Sequence, residues 1–130
     1  ANYIKEIKSE QLILTGYINC QKQLSELYKN CFGYIHGHEY GGTNPTMINA
    51  LDLNCNILAL KTRFNIEMLE NKKAIFFYKD EESIKKAFEF FEKNYKKIGI
   101  ENSSYTLPKK YSWENICNQY LSLFKKSKKN

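Results

Sequence analysis

The residues best suited to chemistry lie together in His36-Gly37-His38-Glu39-Tyr40-Gly41-Gly42-Thr43-Asn44-Pro45-Thr46-Met47-Ile48-Asn49-Ala50-Leu51. They offer two imidazoles, a carboxylate, hydroxyls and a stretch of bare backbone. An apolar run enters the segment and a helix-like run leaves it. Asn44 is a good N-cap, and Pro45 suits the first helical position, where a missing N–H loses no partner. The free amides of that helix start, with the positive end of its dipole, then face whatever fills the glycine loop. A phosphate or diphosphate is the guest such a loop suits. A plain flexible turn at Gly41-Gly42 is the alternative. On the first reading Gly41, Gly42 and Thr43 supply backbone N–H groups, and Thr43 adds its hydroxyl. Asn44 serves equally as a helix cap or as a ligand contact.

Histidine is the side chain that ordinarily changes charge near neutral pH. His36 sits inside the apolar run and reads as a core histidine, whereas His38 is nearer the loop. Taken as neighbouring strand positions they are expected to face opposite sides, which leaves His38 as the one turned toward a ligand. Lys61 and Arg63 follow the next apolar run. A cation there holds a phosphate, Arg63 being the better fork; ordinary loop charge is the other reading.

The words around this loop resemble a known family. Tyr34-Ile35-His36-Gly37-His38, Gly41-Gly42-Thr43-Asn44-Pro45 and the helix with Ala50-Leu51 are similar to the donor-site segment of family 4 retaining glycosyltransferases, most of all the bacterial rhamnosyltransferase-like, polysaccharide-building members. The likeness runs in order from about Gln11 to Phe124. It takes in Ile13 to Ile18, Asn56 to Leu60, Phe64 to Leu69, Ala74 to Tyr78 and Tyr111 to Ile116. The resemblance implies a three-layer, Rossmann-like α/β domain with a mostly parallel sheet, the C-terminal, donor-binding half of a GT-B enzyme. It implies transfer of a hexose such as rhamnose, galactose or glucose from a nucleoside-diphosphate sugar in surface-polysaccharide synthesis, with no further cofactor and no metal. Glu39 resembles the loop carboxylate that the family places against sugar hydroxyls, a solvated loop glutamate being the alternative. With His38 it forms the expected catalytic pair; Gly41, Gly42, Thr43, Asn44, Asn49 and Arg63 are the expected donor contacts. The chain departs from the family at Asn49, where a glutamate directly before the alanine is implied to hold the donor ribose. Asparagine hydrogen-bonds there but carries no charge.

The chain has 130 residues, the size of one domain, whereas the family's enzymes are more than twice as long. It therefore reads as a single truncated donor-binding domain, 1–130, inactive alone. The acceptor-binding N-terminal half and the domain's first strand are expected to be missing. A non-catalytic α/β binding or regulatory module is the second reading.

The elements that must position the loop alternate. Strands are expected over Leu12 to Ile18, Cys31 to Ile35, Asn56 to Leu60 and Ala74 to Tyr78. Such near-continuous apolar runs suit parallel strands covered on both faces, with ligands at their carboxyl ends. Helices are expected over Ala1 to Glu10, Gln21 to Lys29, Pro45 to Leu53, Asp80 to Ile98 and from Ser112 onward. In the fourth, Ile84, Ala87, Phe88, Phe91, Tyr95 and Ile98 form one apolar stripe, so Phe88 and Phe91 are expected in the core. Asn65 and Glu67 match a word of the family above, a cap of the short helix after it being the other reading of Asn65.

A net charge of +6 comes largely from Lys93 to Lys97 and Lys125 to Lys129. These are expected to be solvated helix ends; anionic headgroups or a lipid-linked acceptor are the alternative. The aromatics fall at core spacing with no RNA-binding motif, so nucleic acid is not the expected partner. The four cysteines show no metal-ligand spacing and are expected to be buried free thiols in a reducing cytosol. No signal peptide or membrane-length run is seen. The expected location is cytoplasmic, peripheral to the inner face of the membrane, with a homodimer through exposed apolar surface as a further expectation.

Overall fold

A computed structural model describes residues 10–127. The helix expected over Ala1 to Glu10 and the last lysines of the tail fall outside them, save for Glu10. The described elements are α1 (Gln21–Asn30), β1 (Tyr34–His36), α2 (Pro45–Asp52), β2 (Ile57–Leu60), α3 (Arg63–Met68), β3 (Ile75–Phe77) and α4 (Glu81–Glu101). A 3-10 turn (Lys109–Tyr111) and α5 (Trp113–Ser127) follow. The three strands form a parallel sheet in the order β1-β2-β3. Ile35 lies opposite Leu58, and Ala59 lies opposite Phe76.

The central strand is buried at all four positions, and its alternation builds two cores. Ile57 and Ala59 join Met47, Ala50 and Leu51 of α2 and Met68 at the end of α3. Leu58 and Leu60 point the other way, to Ala87, Phe91 and Ile98 of α4. Side chains on a strand alternate faces, so a continuous apolar run there requires a helix on each side. That gives a three-layer α/β unit.

Side-chain caps mark where the helices after α1 begin. Asp80 accepts from the Ser83 amide at 2.8 Å, and Glu81 and Glu82 lie in the first turn of α4, where the dipole favours them. Ser112 likewise accepts from the Asn115 amide at the start of α5. Beyond α4, the Asn102 side chain takes both the N–H and the C=O of Lys73, at 2.9 Å each, and so pins the entry to β3. Lys72 beside it is buried, with Nζ on Asn54 Oδ1 and 4.4 Å from the Tyr105 ring centre. Burial pulls its pKa from 10.5 down to about 8.

Several expectations need correction. Leu12 to Ile18 forms no strand, and Ile13 and Tyr17 are 80% and 88% exposed. Gly16 lies at φ 65° within it, and among the described residues no partner strand is laid along it, so most of its apolar side chains stay exposed. Among the described residues β1 is therefore an edge strand, and Ile35 on it is exposed. Phe91 is buried, but Phe88 is 42% exposed, because the face of β1 that it overlooks is only partly filled. Of the cysteines only Cys55 is buried; Cys20, Cys31 and Cys117 are exposed. On α5, Trp113, Tyr120, Leu121 and Phe124 are exposed as well, while Ile116 is half-buried.

Candidate functional site

Strand β1 delivers His36 to the carboxyl edge of the sheet, and the chain then loops to α2. Asn44 caps that helix as its sequence implied. Its Oδ1 accepts from the Thr46 and Met47 amides at 3.0 and 3.4 Å, and Pro45 occupies the first turn. Gly41 stands at φ 125°, a conformation that side chains other than glycine's rarely adopt. Among the described residues, the backbone N–H groups of Gly41, Gly42 and Thr43 take no hydrogen-bond partner. A cavity of about 220 Å³ opens over this loop. His36, His38, Glu39, Tyr40, the run from Gly41 to Pro45, Phe64 and Asn65 line it.

The carboxyl ends of the other two strands reach the loop. After β2, Thr62 caps α3 by accepting from the Asn65 amide at 3.1 Å. The reading of Asn65 as the cap of this helix is thereby corrected: it lies one turn inside. Its buried side chain instead donates to Leu60 O at 2.8 Å and to His38 O at 3.1 Å. One asparagine thus ties the end of β2 to the loop. After β3, the Lys79 ammonium pairs with the Glu39 carboxylate at 2.6 Å. Both groups are well exposed, so this pair adds little stability. What it does is hold the carboxylate beside the cavity with a cation next to it.

The two histidines share one side of the strand. Their rings stack at 5.4 Å with 19° between planes, and both line the cavity. The expectation of opposite sides is corrected, because positions 36 and 38 are two apart and the strand repeats every two residues. His36 is buried, and Tyr34, two residues earlier on the same face, meets its Nδ1 at 3.0 Å. Burial first, and His38 second, hold the His36 pKa below its usual 6.5. Burial likewise raises that of Tyr34, which stays a neutral phenol.

Glu39, His38, Gly41, Gly42, Thr43 and Asn44 are therefore brought together. Asn49 and Arg63 are exposed and do not line the cavity. Asn49 lies on α2 beside the fully buried Ala50, on the face turned from the core. Lys61 is drawn off to the Tyr78 hydroxyl at 2.8 Å. Sequence reasoning missed Tyr40, Phe64 and Lys79. No local signal marks Phe64 and Lys79, which reach the loop through the sheet, whereas Tyr40 lies in the loop itself. It undervalued His36, whose two-residue spacing from His38 was a usable signal.

Among the described residues, no group of three or more His, Cys, Asp or Glu side chains is placed to hold a metal ion. No helix there is long and apolar enough to cross a membrane. Comparison of the chain with protein-family models, curated proteins and solved structures finds no match.

Proposed function

We propose that this chain is the nucleotide-sugar-binding half of a retaining glycosyltransferase, a Rossmann-like domain of the GT-B kind. The observation that carries the reading is the loop from β1 to α2. Three unpartnered amides and a capped helix N-terminus border one cavity, at the carboxyl ends of parallel strands. Open α/β sheets bind ligands at that edge, and helix starts favour anions.

The chemistry asks little of side-chain nucleophiles. The sugar leaves a diphosphate, and the main task is to stabilise charge on the departing oxygens. The loop amides and the α2 dipole would do so, with the Lys79 ammonium nearby on Glu39. Ligand pockets usually span about 300–1,000 Å³. A cavity of about 220 Å³ thus takes the diphosphate and its neighbouring groups, not a whole nucleotide sugar. An acceptor-binding half would enclose the remainder. We read the edge of β1 that no described strand covers, and the exposed Trp113, Tyr120 and Leu121 of α5, as surfaces for that half or for a second copy. The site of action is then the cytoplasmic face of the membrane, on a lipid-linked acceptor.

One observation favours a second reading, a non-catalytic binding module of the same ancestry. Asn49, standing where the family has glutamate, is uncharged and lies outside the cavity lining.

Calorimetric titration with UDP, GDP, dTDP and their sugar conjugates at low salt tests the proposal. Saturable binding of one nucleotide is expected, and Gly41→Val should abolish it because φ 125° is closed to valine. Slow hydrolysis of the bound donor favours the enzyme, and binding without turnover the module. If the folded protein binds none of these ligands, the proposal fails.

A further inference from the structure

The hydrogen bonds beside the loop run in one direction, and that direction fixes what His36 offers. Asn44 Oδ1 accepts from two backbone amides, which identifies it as the amide oxygen. Thr46 Oγ1 lies 2.7 Å from it, so the single hydroxyl proton of Thr46 is spent there. The Tyr34 hydroxyl, 2.9 Å from Thr46 Oγ1, must then donate to that oxygen. With its own proton committed, the Tyr34 oxygen accepts from the ring nitrogen 3.0 Å away. His36 therefore carries a proton on Nδ1, and in the neutral ring that burial favours, Nε2 is a bare lone pair.

That lone pair has no partner. Nε2 is buried and unsatisfied, in a residue only 3% exposed that lines the loop cavity. Buried polar atoms are nearly always satisfied, and leaving one unmade is costly. A phosphoryl oxygen cannot supply the missing bond to the neutral ring, since acceptor would face acceptor. A hydroxyl can. His36 shares the cavity lining with Gly41 to Thr43, so the loop amides and one acceptor, the solvent-shielded Nε2, belong to one site.

We infer that His36 determines specificity in this cavity: its Nε2 accepts a hydrogen bond from a ligand hydroxyl while the loop amides take the phosphoryl oxygens. The cavity therefore prefers a diphosphate that carries a hydroxyl-bearing group, such as a sugar, over the bare nucleoside diphosphate. This rests on the nucleotide-sugar reading above. The Asn44–Thr46–Tyr34 chain is the positioning element, since it sets the tautomer.

Two measurements test it. The first is nitrogen NMR of the free protein with labelled histidine, which needs no ligand. It should show Nδ1 protonated and Nε2 unprotonated on His36; a proton on Nε2 overturns the inference by itself. The second is titration of wild type, His36→Phe and Thr46→Val with UDP, GDP or dTDP and with the matching sugar conjugate. Wild type should prefer the conjugate, and the preference should fall about tenfold in His36→Phe, the loss of one buried hydrogen bond. Thr46→Val keeps the imidazole but frees the Tyr34 proton to turn to Nδ1. It should lose the preference too, with the NMR signature reversed, and it serves as the test if His36→Phe does not fold. Equal binding of both ligands by wild type, or a preference surviving in Thr46→Val and in folded His36→Phe, overturns the role of His36 and leaves the nucleotide site standing. Binding of neither ligand overturns the nucleotide-sugar reading and this inference with it.

Discussion

Asn65→Leu is the substitution that most directly probes how the loop is held. The two side chains share branching and heavy-atom count, so the shape against α3 is largely kept, although leucine's methyl groups are bulkier. What is removed is a pair of hydrogen bonds, to Leu60 O at 2.8 Å and to His38 O at 3.1 Å. Leu60 O keeps a second partner, the Thr62 amide at 2.9 Å. His38 is exposed, so water can reach its vacated carbonyl. Neither acceptor is then stranded, and each bond is worth its net value, about 1 kcal/mol. The expected loss is about 2 kcal/mol in all, read as a lower urea midpoint at unchanged slope. The local consequence is sharper. With the tether to His38 gone, amide exchange from Gly37 to Asn44 should accelerate by more than the global loss requires, while β2 and β3 follow the global change. A folded variant with unchanged loop exchange would refute the claim that Asn65 anchors the loop.

Three further outcomes are expected. Lys72 is depressed from 10.5 to about 8, so the folded chain releases this proton before the unfolded chain does. Its penalty is therefore fully present below about pH 8 and relieved as pH rises toward 10.5; relative to Lys72→Met, the wild type should gain about 2 kcal/mol from pH 8 to about pH 9.5, measured by denaturation at each pH. A Cβ at Gly33 would meet Phe91 Cζ at 2.7 Å and Cε1 at 2.8 Å, so Gly33→Ala should lower stability by about 1–3 kcal/mol, and an unchanged thermal midpoint would contradict that contact. Cys55 is buried, with its thiol pushed up to about 12, while the other three cysteines are exposed. An alkylating reagent should therefore label Cys20, Cys31 and Cys117 in the native state and Cys55 only after unfolding, as peptide mass mapping would show.

The sequence alone determined the local features. The cap at Asn44 with Pro45 behind it, the start of α4 at Asp80 and the buried run at β2 all follow from interactions among near neighbours in the chain. Each is a choice made within a few residues, where backbone donors and side-chain acceptors meet without help from elsewhere. The apolar run at Leu12 to Ile18 looked the same to a periodicity argument, but a strand also needs a partner to take its hydrogen bonds, and no local pattern supplies one. Which residues share the cavity was likewise decided by the sheet. Lys79 reaches Glu39 across forty positions of sequence, and Asn65 reaches His38 across twenty-seven. Asn49, close to the loop in sequence, was turned away because the neighbouring Ala50 faces the core. The lone pair of His36 belongs to the same class. Its existence depends on Tyr34, Thr46 and Asn44 meeting in one directed chain, and only the packing of β1 against the start of α2 brings them within reach.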